Sequence, residues 1–462
     1  MTEVEELARF VTATDYVQLS DEAVEQLKIR VLDTLGVAVG ALDAAPMRAV
    51  RALTESLGGS HASTLIGGGW SAPDRAAFYN VALSRYLDFM DSYLAPSETN
   101  HPSDNLGAVL AAAESVGGSG RDFLTALACA YQVHTRLSDV APVRAKGFDH
   151  TTQGAYAVAA GAARALRLDE SQMANAIAIA GTANNALRVT RTGELSHWKG
   201  LAYPQVAKEG VHAALLARMG ITGPREVFEG NKGFKETIAG PFVIDWAAED
   251  LEAVRRTNLK KHNAEIHSQS AIDAALDIAS RPGFVPDKIS QVRITTFQVA
   301  YDIIGGGEEG DKQQIRTKEE ADHSLPYMIA VALLDRAVQP PQYEPDRILA
   351  EDVQRLLKRV IVRPEAEYSA RFPAELPARV EVELEDGTDL TAETSSYQGF
   401  HTTPMEWYDA LAKFDELTGP FASAALRRQL AGAVADLDQR PATDLTSLLR
   451  LVDQNKRGDL LS

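Results

Sequence analysis

Ala378-Arg-Val-Glu-Val-Glu-Leu-Glu-Asp-Gly-Thr-Asp-Leu-Thr-Ala392 is the stretch on which the fold turns. Apolar and charged residues alternate on both sides of Asp386-Gly387, the pattern of two half-buried strands joined by a tight turn. Working outward, Gln291-Val-Arg-Ile-Thr-Thr-Phe-Gln-Val-Ala300 and Arg359-Val-Ile-Val-Arg363 also read as strands. Between them lie helical stretches at about 319–334 and 347–357. A few antiparallel strands covered by helices make a small α+β domain. The chain on either side reads as helix. Ser20-Asp-Glu-Ala-Val opens one helix with an N-cap and first-turn acids, and Ser119 caps another at 123–140. Residues 152–166 and 171–187 are rich in Ala and Gly, which lets central helices approach closely. From Pro404 onward the helical pattern returns. The expected fold is mainly α with an inserted α+β domain. A large all-helical domain is built from both chain ends, 1–268 with 401–462, and a smaller α/β lid domain covers 269–400.

At 462 residues the chain is long enough for two cores, and 45% hydrophobic with 24% charged residues is ordinary for a globular protein. The formal charge of -18 argues against nucleic acid or an anionic membrane as partner. An anionic ligand would require local gathering of cations against that field. The acidic start, Met1-Thr-Glu-Val-Glu-Glu6, has neither signal nor transit character, and no apolar run reaches the ~18 residues of a membrane span. The expectation is a cytoplasmic protein. Its one cysteine, Cys129, lies in an apolar run. A single thiol cannot close an internal disulfide, build a zinc knuckle or hold an iron–sulfur cluster. No H-E-x-x-H, EF-hand loop, Walker A or G-x-S-x-G pattern is present, so neither metal nor cofactor is expected.

Five segments could carry chemistry. In Arg85-Tyr-Leu-Asp-Phe-Met-Asp91, Asp88 and Asp91 are spaced for one face at a helix end. His101-Pro-Ser-Asp-Asn105 then leads into an apolar helix whose N-terminus suits a carboxylate. A simple N-cap at Ser103 or Asp104, with His101 at the surface, accounts for the same string. Phe148-Asp-His150 again places a histidine ahead of a helix, whereas His134 reads as structural. In Leu187-Arg-Val-Thr-Arg-Thr-Gly-Glu-Leu-Ser-His-Trp-Lys-Gly200, Arg188 and Arg191 flank a polar loop and Lys199 opens a helix. A lysine there opposes the helix dipole unless an anion offsets it. Leu259-Lys-Lys-His-Asn-Ala-Glu265-Ile-His267 precedes the domain change, where sites are common, although a solvated hinge has the same composition. Asp322-His-Ser-Leu-Pro-Tyr327 enters an apolar helix, with Tyr327 either packed or turned toward a site.

In order and spacing these strings resemble the MmgE/PrpD family. The likeness continues through Trp198-Lys-Gly200, Gly220-Ile-Thr-Gly-Pro224 and Phe228-Glu-Gly-Asn-Lys-Gly-Phe234, and so covers nearly the whole chain. It implies a homodimer acting on a small polycarboxylate. It also implies Asp91, His101, His150, Lys199, Lys260 and Tyr327 as catalytic residues, with Arg188, Arg191, Glu265 and His267 around the substrate. His101-Pro-Ser-Asp-Asn-Leu looks most like the dehydratases, which implies elimination of water from 2-methylcitrate to give 2-methyl-cis-aconitate. Alternatives are a cis-aconitate decarboxylase, a dicarboxylate epimerase and a non-catalytic polycarboxylate-binding protein. Met90 stands where many members carry aspartate or asparagine, and Glu265 where the decarboxylases carry histidine.

Such an elimination removes a weakly acidic proton next to a carboxylate and protonates a leaving hydroxide. Without a metal, side chains must do both. Lys199, Lys260, Arg188 and Arg191 would bind carboxylates and stabilise enediolate-like charge. His101, with the ~6.5 pKa of an ordinary imidazole, would move a proton. Asp91 would orient or charge it, and Tyr327 could donate to a carboxylate or the leaving oxygen.

Overall fold

A computed structural model describes residues 1–453. The chain is mostly helical with a small mixed sheet. It divides into two compact units. One comprises Met1–Arg188, Gly200–Thr257 and the chain from Met405, and the other comprises Val189–Lys199 with Asn258–Pro404. These divisions fall earlier than 268 and later than 400, for a hydrogen-bonding reason. The Leu259 N–H donates to the Gly399 carbonyl at 2.8 Å, and the His401 N–H donates to Asn258 Oδ1 at 2.8 Å. The Asn263 N–H donates to Val338, and the Glu265 N–H to Asp322. The stretch from 258 is therefore bonded into the second unit.

The first unit is a helical assembly. Ser119 caps Gly120–Val140 through a reciprocal bond with Asp122, and this helix packs on Thr151–Ala165, which packs in turn on Glu170–Ala183. Ala and Gly dominate because the backbones are close. A Cβ at Gly161 would stand 2.8 Å from Val109 Cγ2 and 2.9 Å from Ala130 Cβ, so no larger residue fits between these helices. Helix Trp407–Thr418 lies against Asp21–Gly40. Its buried Lys413 pairs with Asp33 at 2.8 Å and places its ammonium 3.7 Å from the Phe89 ring centroid. Cys129 is fully buried, and that burial pushes its thiol up to about 11, which makes it unreactive packing. Among the described residues no helix is long and apolar enough to cross a membrane.

The sheet of the second unit is not purely antiparallel. Ile289–Thr296 lies between Val360–Pro364, its parallel neighbour, and Ala378–Leu384, its antiparallel one. The parallel pair follows from the helical segments between them, which return the chain to the starting edge. Ala378–Leu384 pairs with Asp389–Thr394 across the Asp386-Gly387 turn, where Gly387 takes φ 84. Burial alternates strictly along Ala378–Leu384. Helix Gln269–Ser280 covers this hairpin, and the apolar Leu325–Asp335 packs on that helix.

Candidate active site

In the helical unit the polar residues converge behind the end of helix Pro73–Tyr86. Asp88 adopts a left-handed φ of 55 two residues beyond it, which breaks the helical register. Asp88 and Asp91 therefore do not share a helical face. Asp88 instead lies 3.4 Å from Arg85 Nη1, which is also 3.9 Å from Asp104. Lys413 donates to the Phe89 carbonyl at 2.6 Å and so anchors this turn. Asp91 is fully buried. Its Oδ1 accepts the Ser103 N–H at 3.1 Å and its Oδ2 the Tyr131 hydroxyl at 2.8 Å. Burial and the nearby Asp91 charge raise Tyr131 well above the usual phenol range, so it stays a donor.

His101 is buried rather than at the surface, and it caps nothing. Its Nδ1 is 2.8 Å from the Asp91 backbone oxygen and 3.0 Å from Ser92 Oγ. A carbonyl can only accept, so Nδ1 carries the proton and Nε2 is the basic nitrogen of the neutral ring. Asp91 thus orients His101 through its main chain, while its carboxylate is held by Ser103 and Tyr131. The His150 ring lies 5.6 Å from that of His101, edge-on, with Nδ1 3.1 Å from Asp149 Oδ1. Asp149 is fully buried and accepts the Thr151 N–H at 3.1 Å. Tyr203 stacks on His150, and its hydroxyl donates to Asn105 Oδ1 at 2.9 Å. His134, beside the same tyrosine, is pushed down to about 3 by burial, so it remains neutral and structural.

Arg188, the last residue of this unit's first segment, influences Glu98. The Glu98 carboxylate accepts the Val143 and Arg144 N–H groups at 2.9 and 2.6 Å. Burial pushes Glu98 up to about 6, against the pull of those bonds and of Arg188. Because the folded value exceeds the unfolded one, Glu98 costs nothing below pH ~4.5. It then destabilises progressively, reaching roughly 2 kcal/mol above pH ~6. Glu98→Gln keeps the accepting oxygen. It should raise the melting temperature at pH 8 but not at pH 4.5, which thermal unfolding at the two pH values checks.

In the second unit, Lys199 is buried with Nζ 2.7 Å from Asp322 Oδ1 and 2.9 Å from His323 Nδ1. Asp322 is the anion that offsets the unfavourable lysine at the helix start. Burial would raise this carboxyl, but Lys199 and Lys318, the latter 2.6 Å from Oδ2, hold it well below the carboxylate range. Arg191 is buried and donates to the Lys199 carbonyl at 3.4 Å. Lys260 is completely buried. Glu265 accepts both the main-chain N–H and Nδ1 of His267, at 2.8 and 2.7 Å. Burial would raise Glu265, but His267, His323 and Lys260 hold it at about 2. The His267 ring packs against Phe297 and Phe372. Tyr327 is turned inward, but its hydroxyl donates to the Gln342 carbonyl, which ties it to the fold. Asp322, His323, Lys318, Tyr131 and Ser92 carry no local signal in the sequence that marks them as site residues. Asp322 and His323 stand in the string that enters the Tyr327 helix, and only their long-range partners identify them.

The MmgE/PrpD N-terminal domain matches residues 5–247, and the MmgE/PrpD C-terminal domain matches 262–439. The chain belongs to the MmgE/PrpD family. It is 29% identical to a 2-methylcitrate dehydratase of Cupriavidus necator, over 69% of each chain. It is 28% identical to a fungal alkylcitrate dehydratase, over 71% of this chain and 70% of the relative. A cis-aconitate decarboxylase of Mus musculus is 24% identical over 86% of this chain and 82% of its own. Membership accounts for the match on both sides of the change from helix to strand, and these relatives support a lyase.

Proposed function

We propose that this MmgE/PrpD member is a hydro-lyase that removes water from a small β-hydroxy polycarboxylate of the 2-methylcitrate type, with side chains supplying acid and base. The carrying observation is the fixed tautomer of His101. With Nδ1 donating to the Asp91 carbonyl at 2.8 Å, Nε2 is the proton acceptor. In this reading Nε2 takes the proton next to a substrate carboxylate, and the C–H electron pair becomes the new double bond. The C–O bond breaks, and the leaving hydroxide receives a proton from His150.

The two histidines suit different roles because their Nδ1 partners differ. His101 faces a neutral carbonyl and hydroxyl there, whereas an imidazolium at His150 is countered by Asp149 at 3.1 Å. Lys199, Lys260 and Arg191 take the carboxylate-binding and charge-stabilising roles. Tyr327 is left out of the mechanism because Gln342 engages its hydroxyl.

The mouse relative favours a second reading, decarboxylation of cis-aconitate, in which the same cations stabilise the carbanion left by loss of CO2. Incubation with 2-methylcitrate and, separately, with cis-aconitate, followed by proton NMR, decides between them. The hydro-lyase reading expects 2-methyl-cis-aconitate from the first and no itaconate from the second. Thermal stabilisation by either acid without turnover would overturn both and indicate a polycarboxylate-binding protein.

A further inference from the structure

Tyr203 and Asn105 are completely buried polar side chains to which the proposed elimination gives no part. The Asn105 amide has all its bonding capacity engaged at one place. Its Nδ2 donates to the Pro102 carbonyl at 2.9 Å, and because a carbonyl only accepts, this contact fixes which end of the amide is nitrogen. The second proton of Nδ2 goes to His134 Nδ1 at 3.4 Å, on an imidazole that burial keeps neutral. Oδ1 is left to accept the Tyr203 hydroxyl at 2.9 Å.

Each end of this connection reaches one of the two histidines. Pro102 directly follows His101, so the turn that carries the His101 ring is tied to Asn105. At the other end the Tyr203 ring stacks on His150, with centroids 6.4 Å and planes 24° apart. The two histidine rings stand 5.6 Å from each other. Phenylalanine at 203 would stack equally well, so stacking does not call for the hydroxyl, a group that is costly to bury without a partner. Space is nevertheless kept for it. A Cβ at Gly154, in the first turn of the helix that follows His150, would stand 2.8 Å from the Tyr203 hydroxyl oxygen. Burial raises this phenol well above its usual range, so it remains a donor.

We infer that Tyr203 and Asn105 are positioning residues that act as one strut, holding the His150 ring at a fixed distance from His101 so that acid and base address the same substrate. This rests on the hydro-lyase reading above, in which the two rings carry out opposite halves of one elimination. Both residues act through the histidines rather than on the substrate. A misplacement of about 1 Å costs a reaction on the order of 100-fold in rate, which sets the scale of what such a strut can be worth.

The test combines steady-state kinetics on 2-methylcitrate, thermal unfolding, and calorimetric binding of propane-1,2,3-tricarboxylate, which has no hydroxyl to eliminate. The proteins are the full chain and its Tyr203→Phe, Asn105→Ala and doubly substituted forms. Tyr203→Phe keeps the stacked ring and removes only the tether. It should lower kcat about tenfold, equivalent to about 1.4 kcal/mol. KM and tricarboxylate affinity should stay within about twofold, because ground-state binding is untouched. Asn105→Ala also frees Pro102 and should lower kcat further. The double variant should be no slower than Asn105→Ala, since both changes break one strut. Near-normal kcat in Tyr203→Phe overturns the inference and leaves the hydro-lyase reading standing. Losses that multiply in full in the double variant also overturn it, because the two residues then act separately. A fall in kcat matched by lost affinity and a lower melting temperature does the same, since Tyr203 would then be structural. If Asn105→Ala does not fold, Tyr203→Phe decides alone by its split between kcat and KM. If the unaltered protein does not convert 2-methylcitrate, the hydro-lyase reading fails and takes this inference with it.

Discussion

His101→Asn should lower kcat for the elimination by roughly 100-fold or more while the protein melts within a few degrees of the parent. Asparagine suits this test because its amide N–H can still donate to the Asp91 carbonyl, as Nδ1 does at 2.8 Å. The nearby Ser92 hydroxyl keeps a polar neighbour. The variant removes Nε2 and little else. If Nε2 takes the substrate proton, kcat and kcat/KM should fall by similar factors, because the lost interaction belongs to the transition state. A change confined to KM would make His101 a binding residue, and a folded variant with near-normal turnover would remove it from the mechanism. His150→Leu, assayed alongside, should also be slow. Its stability should change more, because leucine has no donor and Asp149, fully buried beside it, loses a partner at 3.1 Å.

The parts of this molecule that were legible in the sequence are those governed by near neighbours. The Asp386-Gly387 hairpin could be read because alternation and turn chemistry are local, and its two strands pair from Ala378 opposite Thr394 to Glu383 opposite Asp389. The Ser119 cap could be read for the same reason. The parallel pairing of Ile289–Thr296 with Val360–Pro364 was hidden, since a strand's own pattern does not state the direction of a partner some sixty residues away. The site divides along the same line. His101 and His150 stood out as polar residues ahead of apolar helices. The spacing of Asp88 and Asp91 misled, because one left-handed residue ends the helix that the spacing presumed. Asp322 was illegible as the counter-ion of Lys199, since nothing local names a partner 123 positions away.

Lys199 shows how a local conflict can point to a distant cause, and its replacement should produce the second large effect. Lysine at a helix start opposes the dipole. The compensating group, Asp322, lies 123 positions further along the chain and 2.7 Å away in space. Lys199→Met should therefore act twice. Breaking one arm of a buried ion pair costs about 3 kcal/mol when the remaining charge is stranded. Lys318 still contacts Asp322 Oδ2 at 2.6 Å, so the loss should fall at or below that figure in denaturant unfolding. Affinity for a tricarboxylate should fall more than 30-fold by calorimetry, a loss of about 2 kcal/mol, if Lys199 binds a carboxylate. The double variant Lys199→Met/Asp322→Asn separates the two effects. Removing both charges should recover much of the stability, because no carboxylate is left stranded, yet it cannot restore a missing cation to the ligand. Recovery of stability without affinity assigns Lys199 to the substrate. Recovery of both would make the Lys199–Asp322 pair a structural clamp, with carboxylate binding left to Lys260 and Arg191.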